Sequence, residues 1–120
     1  MRVFIVDDEP AILDLYRDVL HECGMEVAGA ACNGAEAVQH YAVLDPKPDL
    51  VIMDHRMPVM SGLDATRNIL KIHPQARIVF VSADLNVAGR ARALGAMAFH
   101  KKPFPVDRFI HMLEHFRDTL

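Results

Sequence analysis

Carboxylates follow two short apolar runs of this chain. Asp7 and Asp8 come directly after Val3–Val6, and Asp54 follows Leu50–Met53. Runs of this kind are typical of buried strands in a parallel sheet, whose carboxyl ends face a shared crevice. If the two strands are neighbours, three acids meet at one edge and repel each other. A divalent cation that prefers oxygen ligands removes this cost, so the sequence predicts a metal site.

The composition indicates one globular domain. The chain has 120 residues, of which 52% are hydrophobic, and these values suit a helix-covered sheet and exclude a disordered chain. The longest apolar runs are too short to span a bilayer, and the first ten residues do not resemble a signal peptide. The net charge of −3 gives no electrostatic reason for nucleic-acid binding.

The two cysteines indicate the cellular compartment of the protein. Cys23 and Cys32 both lie among small apolar residues, and we expect buried free thiols rather than a disulfide. Free thiols are typical of cytosolic proteins, so the sequence predicts a cytoplasmic location.

Short apolar runs alternate with amphipathic segments along the whole chain. The amphipathic segments predict helices from Pro10 to before Gly24, from the cap Asn33, from Ser61 to His73, over Val87–Leu94 and over Val106–Arg117. The apolar runs predict five strands, at Val3–Val6, Met25–Ala31, Leu50–Met53, Arg77–Val81 and Met97–Lys101. We see no repeat or interdomain linker.

This alternation predicts an α/β fold with a doubly wound, five-stranded parallel sheet and five helices. The arrangement is flavodoxin-like, with strand order 2-1-3-4-5, and it places the first and third strands side by side at the switch point. Asp7, Asp8 and Asp54 then share one crevice. A flavin is excluded, because the acidic loop after the first strand would repel its phosphate.

Several motifs, taken in order, resemble the receiver domain of two-component response regulators. The resemblance runs from about Arg2 to Arg117 and implies that residues 1–120 form one receiver domain, of the single-domain chemotaxis or phosphorelay type, with no effector domain in this chain. Each motif alone is weak, but the ordered set is specific. The motifs are Val6–Pro10, Met53–Pro58 with Gly62, Val81–Ala83, Gly95-Ala96 and Lys102–Phe104.

The resemblance assigns a role to each polar residue of these motifs. Asp54 is the expected phosphoacceptor, a carboxylate nucleophile. Asp8, Asp54 and the backbone carbonyl of Arg56 are expected to bind Mg²⁺ or Mn²⁺ directly, with Asp7 acting through a water molecule. Lys102 supplies a second positive charge to the carboxylate or the phosphoryl group.

Four further positions complete the expected switch. Ser82 stands where the family has Ser or Thr, and its hydroxyl can donate to a phosphoryl oxygen. Its movement would free space for Phe99, at the position of the family's switch aromatic. Arg56 and Asp84 flank the expected path of the hydrolytic water, and we expect them to form an ion pair that slows loss of the phosphoryl group.

Each of these residues can also be explained by a structural role that involves no phosphoryl transfer. Asp7, Asp8 and the two residues after them also suit a helix start, since acids favour the positive end of the helix dipole. Asp54 alone is a loop acid, and Lys102 alone is a solvated base. His111 and His115 lie four residues apart on one helix face, a spacing compatible with a metal, but a solvated face is the ordinary interpretation. His55 is expected to face solvent.

The expected function is that of a phosphorylatable signalling switch, not an enzyme acting on other molecules. It accepts a phosphoryl group from a sensor histidine kinase or a histidine phosphotransferase and relays its state to a downstream protein target. We expect no contact with nucleic acid or membrane, and a monomer or a weak phosphorylation-dependent dimer.

Three alternatives remain at this point. The chain could be the excised receiver of a longer regulator, or a degenerate receiver that serves only as an interaction module. It could also be a Mg²⁺-dependent phosphohydrolase that works through an aspartyl phosphate. Such enzymes place an acid two residues after the nucleophile, where this chain has Arg56, so turnover is disfavoured.

Overall fold

A five-stranded parallel sheet forms the centre of the molecule. The structure, a computed structural model, describes residues 1–120. The strands are β1 (Arg2–Val6), β2 (Glu26–Ala31), β3 (Leu50–Asp54), β4 (Ile78–Ser82) and β5 (Ala98–Lys101). Their order in the sheet is β2-β1-β3-β4-β5, and every neighbouring pair is parallel. The predicted fold class and strand order are therefore confirmed.

Five helices connect the strands and cover both faces of the sheet. They are α1 (Pro10–Glu22), α2 (Gly34–Val43), α3 (Gly62–Ile72), α4 (Ala88–Leu94) and α5 (Val106–Asp118). α1 and α5 pack on one face, and α2, α3 and α4 pack on the other. None of the helices combines the length and the apolar content that a bilayer crossing requires.

Strand residues alternate between the two faces of the sheet. Val3 and Ile5 of β1 pack with α1 and α5, whereas Phe4 and Val6 pack with the helices of the opposite face. Both faces are covered, so the central strands are continuously apolar and buried. The polar residues at their carboxyl ends therefore face the crevice rather than the core.

Helix starts bring polar side chains to the same edge of the sheet. The Asn33 side chain caps α2 by accepting a hydrogen bond from the Glu36 amide at 2.8 Å, and Ser61 caps α3, as predicted. α1 begins at Pro10, and Glu9 before it makes no side-chain capping bond. The N-cap acid of α1 therefore does not use its carboxylate to cap the helix.

Two local features refine the predicted elements. The helix expected over Val87–Leu94 is present but short, and a 3-10 turn at Leu85–Val87 precedes α4. Both cysteines are free, but the expectation that both are buried is wrong, because Cys32 is exposed and Cys23 is only partly buried. Cys32 lies beyond the end of β2, where its thiol donates to the Glu36 carboxylate at 3.3 Å.

Candidate functional site

Three carboxylates converge at the carboxyl edge of the sheet. Asp7 follows β1 and Asp54 ends β3, and these strands are neighbours with Val6 paired to Met53. One carboxylate oxygen each from Asp7, Asp8 and Asp54 lies within 4.8 Å of the others. Asp7 is fully buried and Asp54 is 7% exposed, whereas Asp8 is exposed. The cluster therefore opens to solvent on one side, as the two apolar runs predicted.

Lys102 supplies the cation of this cluster. It follows β5, and its backbone N–H donates to the Ser82 carbonyl at 3.0 Å. Its ammonium contacts the Asp7 carboxylate and lies 3.3 Å from an Asp54 oxygen. Burial by itself lowers the pKa of Lys102, but the hydrogen bond to Asp7 and the charge of Asp54 outweigh it and raise the pKa. Lys102 is therefore positively charged at neutral pH.

Burial raises the pKa of Asp54 to about 6. The charge of Lys102 opposes this rise, while the neighbouring Asp7 carboxylate adds to it. The ionised form of Asp54 is consequently costly in the absence of a further cation. A carboxylate with this environment gains stability from any group that brings positive charge to it.

The donor set fits a hard divalent cation. Carboxylate oxygens are the ligands that Mg²⁺ and Mn²⁺ prefer, and the cluster holds three of them beside a backbone loop. By contrast, no third ligating side chain joins His111 and His115, which are both exposed. The helix-face interpretation of that histidine pair is supported.

A shallow cleft of about 220 Å³ lies above the acids. Ser82 is 2% exposed, and its Oγ accepts a hydrogen bond from the Asp84 amide at 3.0 Å. The hydroxyl thus lies at the wall of the cleft, held by the loop after β4. The cleft is lined by Asp8, Glu9, Asp54, Arg56, Ser82, Ala83 and Lys102.

An ion pair joins Arg56, which lines the cleft, to Asp84 in the loop after β4. An Arg56 guanidinium nitrogen lies 3.3 Å from an Asp84 carboxylate oxygen, which is the pair that the sequence predicted. The hydrogen bond from the Asn86 amide, and then the Arg56 guanidinium, lower the pKa of Asp84. Asp84 is therefore ionised, and the Arg56 side chain at the edge of the cleft is 80% exposed.

Aromatic rings connect the loops of the site to β5. Phe99 is partly buried on β5 and stacks with Phe80 at a centroid distance of 6.3 Å. The His55 ring also packs against Phe80, at a centroid distance of 5.8 Å. The expectation that His55 faces solvent is wrong, because its ring packs against Phe80, and burial lowers its pKa.

Tyr16 is a neighbour of the acids that the motifs did not indicate. It lies on the buried face of α1, is 3% exposed and stacks on Phe109 at a centroid distance of 4.7 Å. Burial raises its pKa, and the charges of Asp7 and Asp54 add to the rise. No sequence signal separates this tyrosine from an ordinary core aromatic.

Comparisons of this chain with family models and with known proteins agree on one family. A family model described as "Response regulator receiver domain" matches residues 3–114. The chemotaxis protein CheY of Thermotoga maritima is 44% identical over 114 residues, covering 93% of this chain and 93% of that protein. The chain belongs to the response regulator receiver domain family. CheY of Bacillus subtilis is 40% identical over 114 residues, with the same coverage of both chains.

The receiver fold is shared with solved structures. A chain in the crystal structure of the CheX-CheY-BeF3-Mg+2 complex from Borrelia burgdorferi matches with a TM-score of 0.90 and 26% identity. The match covers 96% of this receiver domain and 87% of that chain. The resemblance inferred from the motifs is confirmed at the level of family and fold.

Proposed function

We propose that this receiver domain is a phosphorylatable switch whose acceptor is Asp54. The observation that carries the proposal is the environment of that carboxylate, which is 7% exposed, lies 3.3 Å from Lys102 and faces a solvent-open cleft. A buried carboxylate with a raised pKa and a fixed cation beside it is typical of a functional site. Membership of the receiver family supports the same assignment.

The transfer is a displacement at phosphorus. An Asp54 carboxylate oxygen attacks the phosphorus of a phosphohistidine, the phosphorus–nitrogen bond breaks, and the imidazole nitrogen keeps the electron pair. In the separate hydrolysis step, water attacks phosphorus and loses its proton, the bond to the Asp54 oxygen breaks, inorganic phosphate leaves and the carboxylate is restored. Lys102, held between Asp7 and Asp54, places a positive charge where the phosphoryl oxygens gain negative charge.

Asp8, Asp54 and the backbone carbonyl of Arg56 are the proposed direct ligands of Mg²⁺ or Mn²⁺. When bound, this cation neutralises charge on the equatorial phosphoryl oxygens. The Asp7 carboxylate accepts hydrogen bonds from the Glu9 amide at 3.0 Å and from Lys102. Because these donors occupy Asp7, its proposed role is indirect, through a water molecule.

Ser82 and Phe99 form the proposed readout. The Ser82 hydroxyl lies in the wall of the cleft. It accepts a hydrogen bond from the Asp84 amide, and it can donate its own proton to a phosphoryl oxygen. Ser82 is paired in register with the residue that precedes Lys102, and Phe99 lies two positions earlier on the same strand. A displacement of Ser82 would therefore shift β5 and change the position of Phe99, which partner proteins can contact.

The Arg56–Asp84 ion pair is expected to slow hydrolysis of the phosphoryl group. Arg56→Ala and Asp84→Ala should each shorten the lifetime of phosphorylated protein by up to about fivefold, the scale of an exposed ion pair. Loss of label after removal of the phosphodonor measures this rate. Arg67→Ala is the matched control, since it breaks the Arg67–Asp64 pair on α3. Equal lifetimes in the Arg56, Asp84 and Arg67 variants would contradict the idea.

The proposed donor is a sensor histidine kinase or a histidine phosphotransferase, and the proposed recipient of the signal is a separate protein target. CheY proteins with 40–44% identity are named chemotaxis proteins, which supports a cytoplasmic chemotaxis pathway. The crystallised CheX-CheY complex shows a protein partner for that relative.

Labelling by acetyl phosphate tests the proposed function without a cognate kinase. Intact mass should show one phosphoryl group on the wild-type protein with Mg²⁺, little without Mg²⁺, and none on Asp54→Asn. Asp18→Asn, an exposed acid on α1, is the control and should label normally. Undiminished labelling of Asp54→Asn would overturn the assignment. Sustained turnover of p-nitrophenyl phosphate by the wild-type protein, abolished in Asp54→Asn, would favour the phosphohydrolase alternative.

A further inference from the structure

The loop between β3 and α3 has an unfavourable backbone conformation. Val59 has φ = +69° and is the one non-glycine residue with positive φ. A β-branched residue is rarely found in this region, because its side chain crowds the backbone. The Val59 side chain is 84% exposed, so its own packing does not compensate. Contacts elsewhere must hold the turn.

The turn around Val59 is closed by a single short bond. The Met60 amide donates to the Pro58 carbonyl at 2.8 Å, which spans three residues and defines a γ-turn. γ-Turns with positive φ are rare and strained. This turn points the Met60 carbonyl away from its own loop, towards α2.

The first residue of α2 holds that carbonyl. The Gly34 amide donates to the Met60 oxygen at 3.0 Å, and it is one of the helix N–H groups that lack a partner within the helix. A Cβ at Gly34 would lie 2.4 Å from the Met60 oxygen and 2.8 Å from its carbonyl carbon. Both atoms are backbone and cannot turn aside, so the approach requires glycine.

A second close contact fixes the start of the same loop. The Gly62 amide donates to the His55 carbonyl at 2.9 Å, and a Cβ at Gly62 would lie 1.9 Å from the Asp54 carbonyl oxygen. The segment from 55 to 62 is thus held at both ends. Arg56, whose backbone carbonyl is a proposed metal ligand, lies between these two points.

We propose that Gly34 is a positioning residue for the metal site: its contact with Met60 holds the strained β3–α3 loop so that the Arg56 carbonyl faces the acids. This inference rests on the proposed function, since it assumes that Mg²⁺ binds at Asp8 and Asp54. It assigns to α2, which contributes no ligand, a part in metal affinity. Groups that orient a metal ligand commonly control affinity in this way.

Titration calorimetry with Mg²⁺ alone tests the role of Gly34. Gly34→Ala should raise the Kd for Mg²⁺ by about tenfold, the lower end of the effect of removing a group that supports a ligand. Gly89→Ala is the matched control, because a Cβ there meets nothing within 4 Å, and its Kd should equal that of the wild type. A folded Gly34→Ala protein with wild-type affinity would overturn the inference.

Amide hydrogen exchange on the wild-type protein gives a second test that needs no variant. If the contact and the cation hold the same loop, Mg²⁺ must slow exchange at the Gly34 amide, because coupling is reciprocal. The Met97 amide, which donates to the Ile78 carbonyl, is the reference. Equal slowing at both amides would contradict the inference. Absence of Mg²⁺ binding to the wild type would instead overturn the proposed function on which the inference rests.

Discussion

Replacing Asp54 with asparagine is expected to stabilise the metal-free protein by about 3 kcal/mol at neutral pH. The reason is that the folded protein raises the pKa of Asp54 from 3.8 to about 6, and each pKa unit corresponds to about 1.4 kcal/mol. Asparagine keeps the shape of the side chain and removes the charge that burial and Asp7 disfavour. Urea unfolding of the two proteins measures the difference.

The difference in free energy of unfolding between Asp54→Asn and the wild type is expected to depend on pH. Between 3.8 and about 6 the folded state binds more protons at Asp54 than the unfolded state, so the contribution of Asp54 to the free energy of unfolding falls as pH rises. The difference in free energy of unfolding between Asp54→Asn and the wild type should therefore be near zero below pH 3.8. It should grow up to about pH 6 and then stay constant. Saturating Mg²⁺ should narrow it, because the wild type binds the cation better.

Asp18→Asn is the control for this experiment, since Asp18 is exposed on α1. It should change the free energy of unfolding by less than about 0.5 kcal/mol, as is usual for surface substitutions. A pH-independent gain for Asp54→Asn, or no gain, would contradict the account of the buried carboxylate.

Lys102→Met is expected to destabilise the metal-free protein by about 3 kcal/mol at neutral pH. Methionine has a similar length but leaves Asp7 and Asp54 without their cation, and breaking a buried ion pair typically costs about 3–5 kcal/mol. We expect the lower end because the Lys102 side chain is 21% exposed. The pKa of Lys102 is raised, so its full contribution is present at neutral pH and is lost only at alkaline pH.

Thermal unfolding with and without Mg²⁺ measures this loss. Mg²⁺ should recover more stability in Lys102→Met than in the wild type, because it replaces the missing positive charge. Lys101→Met is the matched control, since Lys101 is the adjacent last residue of β5 and is exposed. Equal stabilities of the two variants would mean that Lys102 contributes no more than a surface lysine.

The position of the acids could be predicted from sequence because it depends on strand ends alone. β1 and β3 are marked by apolar runs, and the alternation of strands and helices makes them neighbours at the switch point. The Arg56–Asp84 pair could also be predicted, since each residue lies two positions beyond a strand end in adjacent loops. These features follow from topology and need no detail of packing.

Other features depend on packing that spacing does not encode. Glycines punctuate many helix starts, and nothing in the sequence indicates that Gly34 meets a carbonyl of a distant loop. The positive φ of Val59 is against the preference of its residue type. Alternation at a strand end does not reveal that a ring of β4 lies beside His55, and small apolar neighbours do not reveal that Cys32 is exposed. Tyr16 could be placed in the core but not beside the acids.

Locating the phosphoryl group within the chain identifies the phosphoacceptor residue. Borohydride reduces an aspartyl phosphate to homoserine, so peptide mapping after reaction with acetyl phosphate identifies the modified residue. If Asp54 is the phosphoacceptor, homoserine is expected at position 54 alone, and mainly in samples that contained Mg²⁺. Homoserine at Asp7, Asp8 or Asp84 instead, or its absence from every peptide, would contradict the assignment of Asp54 as the phosphoacceptor.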